Sequence, residues 1–204
     1  MPTTSTPANT AALKDRVIKI ITNPKGEWPV IEAEQTDTAK LYREYIAILA
    51  AIGPIASFIS SVVFAFGIFR VGLAFGLTTA IVSYVLTLAS VYVCALIIDK
   101  LAPTFDSTPN LIQALKLVAY AMTPAWVAGV ANVIPFLGVL VALVGGLYSI
   151  YVFYLGLPVM MKTPEAKVVP YMAVSALVII VLWFVAMMIT GAVVGSMFLA
   201  GATF

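Results

Sequence analysis

The side chains of this chain that could do chemistry are hydroxyls and kinked backbone, because the usual acid–base machinery is missing. Histidine is absent, which removes the commonest general base and the commonest metal ligand together. Neither H-E-x-x-H nor a Ser-His-Asp arrangement can be built, and no Walker A loop or dinucleotide glycine motif occurs. A Ser-Lys dyad would need a membrane-embedded lysine, and none is expected to be buried. The 9 acidic residues, Asp15, Glu27, Glu32, Glu34, Asp37, Glu44, Asp99, Asp106 and Glu165, all fall in the tail or in loops. Proton-coupled carriers keep an ionisable group inside the bundle, so this pattern weighs against them and leaves neutral-solute or lipid pathways open. The expectation is a non-enzymatic protein with no catalytic, cofactor-binding or metal-ligating residues.

What remains is polar groups set in apolar runs. Pro54, Pro124 and Pro158 interrupt hydrophobic stretches, and each frees a backbone carbonyl that neighbouring helices must satisfy. They read as static kinks or as the broken helices of a binding cavity. With Ser57, Ser60, Thr123 and Tyr148 they would line a neutral polar path. Tyr148, Tyr151 and Tyr154 stand at i, i+3 and i+6 near Gly145 and Gly146. Tyr154 reads as an aromatic-belt residue, while Tyr148 lies ~21 Å in from Lys162 by helical rise. At that depth a hydroxyl wants a partner, either a neighbouring helix or a ligand; Tyr84 reaches a similar depth. Gly72/Gly76 and Gly191/Gly195 are small-xxx-small pairs that permit close helix approach.

The elements that must position these residues follow from composition. The chain has 204 residues, 62% hydrophobic and 10% charged, with mean hydropathy +1.08, whereas soluble domains carry about 25% charged residues. Lipid is the remaining solvent. The net charge of +2 is too mild to argue for nucleic acid. The lone Cys94 precludes an internal disulfide. Five apolar stretches approach or exceed the ~20 residues of a spanning helix: 45–69, 73–98, 117–133, 136–161 and 168–190. The fifth meets no charge before Phe204; ~55 Å of helix against a core of ~30 Å predicts that it leaves the membrane near Gly191 to Gly195. Of the 11 Lys and Arg residues, all but Arg70 fall on one side of a five-span arrangement. That side is expected to be cytoplasmic. The fold expected is all-α and polytopic, with the N-terminus cytoplasmic and the C-terminus outside.

Residues 1–12 read as a flexible tail without the apolar core of a secretory signal. From Leu13 to Ile21, Leu13, Val17, Ile20 and Ile21 share one helical face, and Asn23-Pro24-Lys25-Gly26 ends the helix. Lys14, Arg16 and Lys19 are expected at the membrane surface, near anionic headgroups, with Trp28 as an interfacial anchor. A short helix capping the bundle from below is the equal alternative. Residues 32–40 read as a polar linker, so that 13–44 form a cytosolic helix and linker ahead of the membrane domain 45–204.

Several of these features together resemble a known family. Asn23-Pro24 and Trp28 precede the first helix; Tyr120-Ala121-Met122-Thr123-Pro124, Pro135, Leu147-Tyr148-Ser149-Ile150-Tyr151 and Tyr154-Leu155-Gly156-Leu157 follow. Over roughly residues 14–190 the chain is similar to bacterial-type members of the YIP (Ypt/Rab-interacting protein) family. The resemblance implies a five-helix bundle with a cytosolic N-terminus. Eukaryotic relatives bind prenylated Rab-type GTPases, but their long cytosolic domain is missing here. Of their Asp-Leu-Tyr-Gly-Pro motif, Ala51-Ile52-Gly53-Pro54 keeps only Gly-Pro. The candidate ligand- or partner-facing residues are then Pro54, Tyr120, Thr123, Pro124, Tyr148, Tyr151 and Gly156. The expected role is that of a membrane-organising or adaptor protein, with a permease or a lipid-handling, scrambling protein that uses the proline-kinked helices as the alternative. Membrane lipids, a protein partner at the cytoplasmic face and a second copy of the chain are the partners considered, and nucleic acid is not.

Overall fold

The structure is a computed structural model and describes residues 6–63, 73–134 and 136–201. Two short helices precede five long ones, and no strand occurs among the described residues. Helix α1, Thr6–Thr22, and α2, Pro24–Ala33, form a hairpin. Its turn is written in the sequence: the Asn23 side chain accepts from the Gly26 amide at 3.2 Å, and Pro24 occupies the first helical position, where its missing N–H costs nothing. The expected tail therefore begins its helix at Thr6, and the expected linker is helical up to Ala33.

Five helices are long and apolar enough to cross a membrane. Helix α3, Thr38–Val63, starts on Asp37, whose carboxylate accepts from the Lys40 amide at 2.7 Å. Helix α4 covers Leu73–Leu101, α5 Leu111–Val133, α6 Leu137–Met160 and α7 Glu165–Gly201. The chain is thus an all-α protein with five candidate spans, and the first, third and fifth begin earlier than the apolar runs suggested. Polar first turns explain this, since Asp37 and Asn110 cap helices that start in water and become greasy later; Asn110 accepts from the Gln113 amide at 3.2 Å. Helix α7 does not break at Gly191 or Gly195. It continues unbroken to Gly201.

Helix α5 is the centre of the bundle: 67% of its spanning window is buried, against 28% or less for the others. Its first turns, from Ala114 to Ala121, are enclosed on all sides, which requires more cover than four lipid-facing helices provide. The α1–α2 hairpin supplies the rest. Loops knit the same end together, with the Thr108 amide donating to the Met161 carbonyl at 2.8 Å and Ser107 Oγ to Thr163 Oγ1 at 2.8 Å. All the charged loops gather here, so this is the charged end. Arg70 and Gly72 lie outside the described residues, as does Pro135.

Candidate functional site

Trp28 anchors the hairpin, and it does so inside the protein. It is fully buried and donates from Nε1 to the Val152 carbonyl at 3.1 Å. Its ring lies flat on Gly156, where an added Cβ would come within 2.5 Å of two indole carbons. Only glycine allows that approach. The expectation of an interfacial Trp28 is therefore corrected: the segment that looked like a surface anchor is a core element, because Gly156 opens a seat for it.

Lys116 makes the second clamp. It is 2% exposed, and its Nζ donates to the carbonyls of Ile31 at 2.9 Å and Glu34, with Glu32 at 3.4 Å. These carbonyls lie at the end of α2, where that of Ile31 also accepts from the Glu34 amide at 3.3 Å, and a cation at a helix C-terminus opposes the macrodipole. The expectation that no lysine is buried fails here. Lys116 sits one turn into α5 rather than in a loop, and its three donors are spent on backbone, leaving none to activate a serine. On the more exposed rim, Gln113 Nε2 reaches the Glu32 carbonyl at 3.1 Å and Lys162 pairs with the Glu32 carboxylate at 2.9 Å.

Arg16 completes the attachment. Its guanidinium bridges Glu27 and Glu34 and lies 6.0 Å from the centroid of the Tyr120 ring, a distance at which cation–π attraction contributes. Thus Arg16 is turned toward the bundle and not toward headgroups. Lys14 and Lys19 do stay on the outer face. Asp15, paired with Lys19 at 2.7 Å, holds its ammonium above the ordinary lysine range.

The hairpin reaches deep. Its tip carbonyl, Ile21, accepts from the Tyr148 hydroxyl at 2.7 Å, so the partner sought for Tyr148 is a backbone group. Tyr148 lies ~18 Å along α6 from Met160, leaving ~17 Å back to Leu137. The hairpin tip thus packs beside the middle of α6.

The other candidates divide between two places. Around Tyr120, the Tyr45 and Tyr120 rings meet at 4.4 Å, and the Tyr45 hydroxyl is 2.7 Å from Thr123 Oγ1, which also donates to the Ala119 carbonyl at 3.3 Å. Pro124 breaks α5 at Met122, and the Ala125 amide turns to Ser149 Oγ at 3.1 Å. Neighbouring side chains thus satisfy this kink, as a static kink requires. Pro54 lies elsewhere: Gly53 touches Gly129 so closely that a Cβ on Gly129 would be 3.1 Å from it. Pro158 is half-buried within an unbroken α6. Tyr151 is 45% exposed, with its ring 5.7 Å from that of Tyr148. These residues do not converge on one path.

Two cavities remain. One, of about 300 Å³, lies between the hairpin and the start of α3, lined by Arg16, Glu34, Lys40, Glu44, Tyr45 and Tyr120. Its wall contains a π-helical turn, Tyr42–Ile46, in which the Ala47 amide bonds back to the Tyr42 carbonyl. Such turns concentrate at functional sites. No sequence pattern announces it, which is why Lys40, Glu44 and Tyr45 were not singled out. The other, of about 510 Å³, is an apolar groove between α5, α6 and α7, with Met122, Gly146, Phe153 and Trp183 on its walls.

The Yip1 domain model matches residues 18–202, a span that takes in most of the hairpin and all five long helices. The chain belongs to the Yip1 domain family. It is also 29% identical over 146 residues to the inner membrane protein YohC of Escherichia coli K12 and of strain O6:H1, covering 68% of this chain and 75% of each relative. No solved structure matches it. The Yip1-family chain is accordingly a multi-pass membrane protein, related to inner membrane proteins and to no enzyme family among these matches.

Proposed function

We propose that this Yip1-family protein is a non-enzymatic membrane-organising or adaptor protein of the cell membrane, with residues 13–44 as its working surface on the cytoplasmic side. The observation that carries this is the double clamp on the hairpin, Trp28 in the Gly156 seat and Lys116 on the end of α2. A flexible tail loses entropy on every encounter, whereas a fixed hairpin presents Lys14, Asp15, Ile18 and Lys25 in one arrangement. The test is photocrosslinking in intact membranes from Ile18 and Val30, both about half exposed. Discrete protein adducts are expected for the adaptor role. Adducts with lipid alone would remove it.

A second reading has one observation in its favour. The apolar groove beside Gly146 and Trp183 suits a protein that handles lipid. Proteoliposomes carrying the purified chain should then exchange labelled lipid between leaflets faster than empty liposomes, and equal rates exclude this reading.

A further inference from the structure

The pocket between the hairpin and α3 displays charges of both signs, and two of them are unmatched. Arg16 is committed to Glu27 and Glu34. Lys40 and Glu44 make no ion pair among the described residues. At i and i+4 on a regular helix, lysine and glutamate are neighbours and commonly pair. Here they do not pair, and a π-helical turn begins at Tyr42, between them. The result is one free cation and one free anion on the wall of a single cavity of about 300 Å³. Its floor is aromatic, formed by the buried rings of Tyr45 and Tyr120, and tyrosine faces attract ammonium groups.

The pocket opens beside the N-cap of the first spanning helix, where Asp37 and Lys40 mark the change from polar to apolar chain. A ligand seated there would have its polar part at the level of lipid headgroups. Surface charges usually find water or each other, and an isolated pair on a wet surface would carry nothing. What distinguishes this site is that both unpaired charges line one cavity, beside the Tyr45 and Tyr120 rings and with a π-helical turn in its wall.

We propose that this pocket binds the headgroup of a zwitterionic phospholipid, its ammonium at Glu44 over the tyrosine rings and its phosphate at Lys40. The site is independent of the adaptor role and would stand if that role failed. Lys40 is exposed and Glu44 half-exposed, so neither is needed for the core. The purified full chain is incubated with vesicles of equal phosphatidylethanolamine and phosphatidylglycerol, and the lipid it retains is measured by native mass spectrometry. Wild type is expected to retain phosphatidylethanolamine in preference; E44Q should lower that preference about tenfold, whereas K40Q, which removes a phosphate contact that both lipids can make, should lower the retention of both about tenfold and leave the preference in place. Soluble glycerophosphoethanolamine, carrying the same head without chains, is added in a second arm and should not compete. Equal retention of the two lipids by wild type overturns the proposal without recourse to any variant. Unchanged preference in E44Q, or unchanged total retention in K40Q, overturns it too. Full competition by the soluble head would place the ligand in water and overturn the lipid assignment.

Discussion

Gly156→Ala tests whether the hairpin is truly seated in the bundle. The new Cβ would lie 2.5 Å from Cε2 and Cζ2 of Trp28 and 2.7 Å from Leu117 Cδ1, closer than carbon atoms tolerate. Neither neighbour can retreat cheaply, since Trp28 is held through Nε1 by the Val152 carbonyl at 3.1 Å and Leu117 is fully buried. Overpacking of this kind costs about 1–3 kcal/mol. That lowers the ratio of docked to undocked hairpin by about 5- to 150-fold. The five long helices keep their own contacts, so the loss should appear as local opening rather than as global unfolding. Limited trypsin digestion in membrane vesicles reads it directly. Cleavage after Arg16, clamped between two carboxylates in the docked state, should accelerate by the same factor. In a Trp28→Phe background the smaller ring vacates the space at Cε2 and Cζ2, and Gly156→Ala should then cost less than in wild type by about 1 kcal/mol or more, the Leu117 contact remaining. If the two substitutions simply add, or if Arg16 is cut equally fast in every variant, the hairpin is not held by this seat and the argument built on it falls.

Other expectations follow from the same contacts. Lys116→Met removes the charged donor from the end of α2, at about 1–3 kcal/mol, and should also raise trypsin cleavage after Arg16. Arg16→Gln leaves the buried Glu27 without its cation and should cost about 3–5 kcal/mol, read as a lower melting temperature in detergent; an unchanged melting temperature would show that Glu27 is solvated. Asp15→Asn should return Lys19 to the ordinary lysine range in an NMR titration. A raised lysine contributes stability only below its unfolded value and loses it as pH climbs through the folded one, and with Lys19 on the surface the melting temperature should stay flat. Compartment-sensitive reporters fused to the two termini should answer from opposite sides of the membrane; reports from one side would refute five crossings.

The spans were legible because they depend on a sum over ~20 side chains, which no single contact can overrule. Asn23-Pro24 was legible for a local reason: both residues act within their own turn. The hairpin's destination was not. Leu13, Val17, Ile20 and Ile21 announce a buried face, but a lipid surface and a protein groove read identically from the helix that fills them. The deciding residue is Gly156, distant in sequence, and a glycine carries no sign of the ring that will cover it. Lys116 was misplaced because a lysine at the edge of an apolar run normally marks water, and here α2 brings three carbonyls to it. The π-helical turn is invisible on similar grounds, since Tyr42–Ile46 has no composition that distinguishes it from an α-helical turn.

The ions around the hairpin are poor candidates for the source of its stability. Burying Arg16, Glu27 and Lys116 removes their hydration, and well-packed apolar residues of similar size often do as well or better. Their use lies in discrimination. An apolar hairpin could slide along α5 and α6 or rotate on them, with little change in buried area. Arg16 must meet Glu27 and Glu34 at once, and Lys116 must meet the end of α2 and no other turn. Any slip by one turn strands the buried Glu27 and Lys116 away from their partners, which is costly. The sequence therefore trades some stability for a single register. Only a hairpin fixed in register keeps Arg16 and Glu34 opposite Lys40, Glu44 and Tyr45, and without that alignment the charged pocket would have no defined shape.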